Sequence, residues 1–168
     1  MSAMNRKLIV RYIFWALTLG VMIFIFIMSG QPRQVSGETS KTVIKSILNI
    51  FMDDFKGLSD REKDVIIQSY QFIVRKLAHF SVYAALGVFS YSAISTYSFE
   101  KKKKIFLSLG FCFFYSLTDE LHQLFSDSRA ARLYDVAIDS IGALSGILFV
   151  VIVIFIYKKI TSRRMLYA

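Results

Sequence analysis

Tyr115-Ser-Leu-Thr-Asp-Glu-Leu-His-Gln123 is the stretch that decides how the chain reads. It closes an apolar run that begins near Ile105 and is long enough, with its last turns, to cross a membrane. Two acids, a histidine and a glutamine stand at or just past the end of that run. Ionisable groups at membrane depth are costly, so they mark either a functional site or a buried pairing network. Two more polar clusters flank it: Arg75-Lys76-Leu-Ala-His79 before, and Arg129-Ala-Ala-Arg132-Leu-Tyr-Asp135-Val-Ala-Ile-Asp139 after.

The rest of the composition agrees with a membrane setting. Apolar residues make up 55% of the 168 and only one proline is present, which is not the make-up of a soluble domain. The length suits one domain, 1–168. The net charge of +9 raises the question of nucleic acid. The excess, however, sits in clusters that border apolar runs, as membrane topology requires, and these clusters lack interleaved aromatics. No nucleic-acid partner is expected. The single cysteine, Cys112, excludes an intrachain disulfide and a cysteine-based zinc site, and reads as a small buried or lipid-facing residue.

Four spans are expected, at about 8–28, 72–97, 105–123 and 135–157. The first follows Arg6 and Lys7 and ends at Gly30 and Pro32. No A-x-A-like cleavage site follows it, so it reads as a transmembrane helix and not as a cleaved signal. The segment 31–71 is polar. Within it Val43, Ile44, Ile47, Leu48 and Phe51 recur at helical spacing, which suits a helix lying on the membrane surface or one packed over the end of the bundle. Ser59-Asp-Arg-Glu62 has the form of a capping box and predicts a helix start that runs on into the second span. Gly87 on that span and Gly142-x-x-x-Gly146 on the fourth predict close helix contact. The fold class is therefore all-α: a polytopic four-helix membrane bundle with an extracytoplasmic helical segment between helices 1 and 2.

Orientation follows from the basic residues. The N-terminus, Lys101 to Lys104 and the tail with Lys158, Lys159, Arg163 and Arg164 are rich in cations and poor in acids, so N- and C-terminus are expected in the cytoplasm. The start of span two, the end of span three and the start of span four then share the outer face. Helical spacing aligns Arg75 or Lys76 with His79, Tyr83 and Gly87, Tyr115 with Asp119 and either His122 or Gln123, and Asp135 with Asp139, Gly142 and Gly146. An inward-facing polar pocket at the outer leaflet, roofed by the 31–73 segment, is the consequence.

Three motifs in this order carry a family resemblance: Arg75-Lys76-x-x-His79-Phe-x-x-Tyr83, Asp119-Glu120-x-His122-Gln123, and Arg129-x5-Asp135-x3-Asp139-x2-Gly142-x3-Gly146. With Ser29-Gly-Gln-Pro32, the chain resembles the VanZ-like membrane proteins, the family named after the teicoplanin-resistance protein. Three positions depart from the pattern: Ser128 stands where Gly is frequent, Arg132 replaces a small residue, and Asp139 occupies a usual Asn position. The resemblance implies a bacterial inner-membrane protein of the cell envelope, linked to glycopeptide susceptibility, with a proposed kinship to membrane enzymes acting on lipid head groups.

Three readings of the pocket follow. In the first it is an enzyme site for a phosphate-bearing lipid head group or a lipid-linked cell-wall precursor. Arg75, Lys76 and Arg129 would hold phosphate oxygens. His79 or His122 would act as acid, base or nucleophile, oriented by Asp119 or Glu120. Tyr83, Gln123, Asp135 and Asp139 would complete the ligand-binding set. No metal site is assigned and no cofactor is named, although Asp135 with Asp119 or Asp139 could hold a divalent ion through hard oxygen ligands. In the second reading the same groups bind or shield without turnover. In the third the charges only lock the bundle, through pairs such as Arg75 with Asp119 and Arg129 with Asp135. A transporter fits less well, because transport sites favour the midplane, whereas these groups cluster near one face.

Overall fold

The computed structural model describes residues 3–125 and 133–166. Among them are five α-helices and one 3-10 turn: α1 (Ala3–Ser29), α2 (Arg33–Phe51), the 3-10 turn (Asp53–Gly57), α3 (Asp60–Ser95), α4 (Lys101–Phe125) and α5 (Leu133–Leu166). The fold is all-α, as expected. α1, α3 and α5 are long and apolar enough to cross a membrane. α4 is not among them. It is 25 residues long, but lysines open it and Asp119, Glu120 and His122 lie in its last turns.

The helix boundaries obey local chemistry. α1 stops at Ser29, Gly30 forms the turn, and Pro32 caps α2 from outside the hydrogen-bonded turns. Ser59 caps α3, its hydroxyl accepting from the Glu62 N–H while the Glu62 carboxylate accepts from the Ser59 N–H at 2.9 Å. From that capping box α3 runs unbroken for 36 residues, so the capped start and the second span are one helix. It ends at Ser95, two residues before the expected boundary. Lys101 to Lys104 form the first turn of α4.

α3 is the central element, touching each of the other four helices. Its tightest partner is α5. A β-carbon on Gly142 would collide with the Phe80 carbonyl, one on Gly146 with that of Ala84, and one on Gly87 with that of Ala143. The two helices therefore meet backbone to backbone along a seam that steps by one turn, the close approach the small residues predict. α1 lies against α3 and α4. Near its start Arg11 donates to the Thr96 hydroxyl at 3.0 Å and stacks over the Tyr97 ring at 3.9 Å. Further along, Tyr115 donates to the Met22 carbonyl at 2.5 Å. Ile25, Tyr83, Leu86, Cys112 and Ala143 form the core between the helices, so Cys112 is a small buried core residue.

α2 divides its apolar residues between two surroundings. Ile44 and Leu48 pack on Phe55, Ile66, Ile67 and Val74, holding α2 and the 3-10 turn against α3. Val43, Ile47, Ile50 and Phe51 stay exposed, Phe51 at 83%. The helix is packed on the bundle, and Ile47, Ile50 and Phe51 leave apolar surface uncovered.

The bundle has two unlike ends. The start of α1, the end of α3, the start of α4 and Lys158 of α5 gather at one, where Lys101, Lys104 and Lys158 share a recess with Tyr91 and Phe99. The end of α1, the first membrane-length part of α3, the end of α4 and the start of α5 gather at the other.

Candidate functional site

The second end carries the polar clusters. Each helix places its share by simple periodicity: Arg75, His79 and Tyr83 follow at steps of four on α3, Asp119 and Gln123 on α4, and Asp135 and Asp139 on α5. A cavity of about 350 Å³ lies between α1, α2 and α3, with Gln123 of α4 and Asp135 of α5 on its wall. Arg75, Lys76, His79 and Tyr83 line its polar side, while Phe24, Met28, Val43 and Val82 make an apolar wall. Four residues of α2 complete it: Ser36, Thr39 and Ser40 beside Val43. α2 is thus part of the wall, as the expected roofing by the 31–73 segment requires, although none of its residues was singled out as a site residue.

Behind the cavity lies a buried carboxylate pair. Asp119 is 3% exposed and Asp139 is 1% exposed. Asp119 accepts hydrogen bonds from the Ser29 hydroxyl and from the Gln123 amide, the latter at 3.3 Å. One oxygen of Asp139 accepts from the Ser116 hydroxyl at 2.9 Å. Its other oxygen is buried, makes no hydrogen bond among the described residues, and stands 3.7 Å from Nδ1 of His79. The ligand atoms of His79, Asp119 and Asp139 all lie within 4.8 Å of one another. Tyr83 is wholly buried alongside. Ser116 stands beside its hydroxyl, which finds no partner of full hydrogen-bond geometry among the described residues.

The remaining expected residues take different places. Lys76 forms an ion pair with Asp135 at the rim, its ammonium 5.4 Å from the Phe72 ring centroid and 5.8 Å from that of Tyr134. Asp135 therefore belongs to Lys76 and not to the Asp119–Asp139 group. Arg75 is half-buried on the cavity wall and makes no ion pair among the described residues. The suggested Arg75–Asp119 pair is absent from those residues; Ser29 and Gln123 hold Asp119 instead. Glu120 is buried, near enough to Asp139 for their charges to repel. His122 turns to α1. Its ring stacks on Phe26 at 4.1 Å and closes over Gly30, where a β-carbon would stand 3.0 Å from the imidazole. His79 is the histidine on the cavity wall, and Gln123, not His122, continues the Asp119 stripe. Arg129 and Arg132 lie outside the described residues.

Two residues of the site had no place in the sequence reading. Ser29 was visible only as the first residue of Ser29-Gly-Gln-Pro32. Ser116 precedes Asp119 by one turn, but a serine within an apolar helix usually bonds its own backbone, and no local signal shows that it bonds an aspartate of another helix.

No curated protein and no solved structure matches the chain. A model of one protein family does, over residues 14–155, a range that starts within α1 and ends within α5 and so takes in all three polar clusters. With that match spanning most of the chain, and with three helices fit to cross a membrane, the protein belongs to the VanZ/LLP1 family.

Proposed function

We propose that the chain is a multi-pass protein of the bacterial cytoplasmic membrane whose cavity takes the phosphate-bearing head group of a membrane lipid or lipid-linked envelope precursor. Its effect in the cell is lowered susceptibility to a glycopeptide such as teicoplanin. Family membership suggests a membrane protein linked to resistance. The lipid reading rests on one observation. The cavity, polar on one side, shares Phe24 and Val82 of its apolar wall with an apolar groove of about 430 Å³ that continues between α1 and α3, past Leu17, Gly20 and Ala85. A polar compartment joined to an apolar track along the bundle's side has the form of a head group and its chain. Arg75 is the cation placed to meet phosphate oxygens, since Lys76 is engaged by Asp135.

In this proposal α4 is the third of four spans, with its polar ends at the two membrane surfaces. The basic end faces the cytoplasm, because positively charged flanks stay inside. The cavity and the α2 segment then face out, where envelope precursors lie. Cysteines at the exposed positions Ser46 and Ser98, in a Cys112→Ala background, test this. Ser46→Cys reacts with an impermeant thiol reagent added to whole cells and Ser98→Cys does not. The opposite pattern removes the envelope reading.

A catalytic form of the same reading is favoured by His79, which stands beside the carboxylate of Asp139 on the cavity wall and could move a proton there. The competing form is a non-catalytic binder or shield, or a bundle held by its charges alone. Glycopeptide susceptibility set against membrane abundance decides. Arg75→Ala raises susceptibility at normal abundance if a head group is bound, and His79→Gln does so as well if chemistry follows. Unchanged susceptibility in Arg75→Ala at normal abundance overturns the head-group reading.

A further inference from the structure

We infer that His79, Asp119 and Asp139 form a binding site for one divalent transition-metal ion, Zn²⁺ or an ion of similar preference. Their ligand atoms already lie within 4.8 Å of one another, supplied by three different helices. Ligand atoms around a four-coordinate ion with bonds of about 2 Å stand roughly 3.3 Å apart, so the three side chains need only draw in by about an ångström. One imidazole nitrogen with two carboxylates suits Zn²⁺ or Mn²⁺ better than Mg²⁺, whose preference is for oxygen alone.

The buried oxygen of Asp139 gives the independent reason. It is a carboxylate oxygen in a residue 1% exposed, directed at His79, with no hydrogen-bond partner among the described residues. Neither Asp119 nor Asp139 pairs with a lysine or arginine among those residues. Asp119 and Glu120 both repel Asp139. Two carboxylates that close, in a medium of low dielectric, are held either by a shared proton or by a positive charge between them. An ion at the centre of the three groups supplies it and takes the open oxygen as a ligand.

The surroundings match what metal sites require. Ser29 and Gln123 hold Asp119, and Ser116 holds the far oxygen of Asp139, so outer hydrogen bonds orient both carboxylates and leave Asp139 one oxygen for the ion. Three protein ligands leave a coordination position open. His79 belongs both to the cluster and to the cavity wall, so the ion would border the space lined by Arg75. The ion site stands on this geometry alone; its use on a phosphate head group rests on the function proposed above.

The test uses the full chain, purified in detergent with its tag removed, incubated with Zn²⁺ and freed of excess. Only two histidines and one cysteine occur in the sequence, so competing Zn²⁺ ligands are few. Wild type retains about one ion per chain. Asp139→Asn and His79→Gln bind Zn²⁺ at least about tenfold more weakly. Asp135→Asn keeps its ion, since that carboxylate pairs with Lys76. Co²⁺ gives visible absorption in wild type that His79→Gln shifts or abolishes. If Asp139→Asn fails to fold, His79→Gln carries the test, because that side chain is 32% exposed. A wild-type chain that retains no stoichiometric ion, or a His79→Gln chain that binds as tightly as wild type, overturns the inference. Normal Zn²⁺ binding together with unchanged susceptibility in Arg75→Ala keeps the ion site and removes the head-group reading instead.

Discussion

α3 shows two different surfaces to the rest of the molecule. Towards α5 it offers backbone: Gly87 and the carbonyls of Phe80 and Ala84 meet Ala143, Gly142 and Gly146 with no room for a side chain. Towards α1 and α2 it offers Arg75, His79 and Tyr83 and leaves a cavity of about 350 Å³. The first surface is closed and depends on small residues. The second is open and depends on which polar groups point into it. One helix can do both because successive residues point about 100° apart, so Phe80 and Ala84 face a different direction from His79 and Tyr83. The difference teaches where stability and function are lodged: a change on the seam should cost folding, and a change on the cavity wall should cost activity in a chain that still folds.

The seam gives the largest expected effect. Gly146→Leu forces a branched side chain into the Ala84 carbonyl, and overpacking of this kind costs at least about 1–3 kcal/mol. Abundance in the membrane, measured by immunoblot, falls severalfold or more, and Gly142→Leu behaves alike. Normal abundance for both would erase the contrast, since this face would then look at lipid. Gly110 is the control, because nothing stands within 4 Å of a β-carbon there and Gly110→Ala keeps abundance near wild type.

The buried carboxylates come next, because they belong to both sides of the comparison. Asp139→Ala removes a buried side chain and leaves the Ser116 hydroxyl without its acceptor, a loss of roughly 1–3 kcal/mol for an unsatisfied buried group. Asp119→Asn keeps the size and most hydrogen bonds and removes only charge. The expected outcome is that Asp139→Ala lowers abundance, whereas Asp119→Asn raises glycopeptide susceptibility at near-normal abundance. Equal loss of protein in both would assign the cluster to structure.

Smaller still is the effect at the far start of α3. Ser59→Ala removes the capping box and costs about 1 kcal/mol, read as a modest drop in melting temperature in detergent. Susceptibility stays at the wild-type value, since the cap is more than about five turns before His79. An effect on susceptibility as large as that of Arg75→Ala would mean that the start of α3 belongs to the site and that the two surfaces are not independent.

Much of this was legible in the chain itself. The capping box at Ser59 and Glu62 marks the start of α3, and a single helix follows because nothing in the sequence breaks it. Gly87, Gly142 and Gly146 stand at helical spacing, so the close approach of two helices could be read before either partner was known. His79 with Tyr83, and Asp135 with Asp139, share faces for the same reason, as spacing within one helix fixes which side chains point the same way. The partners were a different matter. That Ser29 and Ser116 hold the two aspartates, that Lys76 takes Asp135, that His122 stacks on Phe26, and which residues of α2 line the cavity were decided only by the tertiary structure. Each depends on how far one helix slides and rotates against another. That register is set by the summed packing of whole faces, and no local run of residues encodes it.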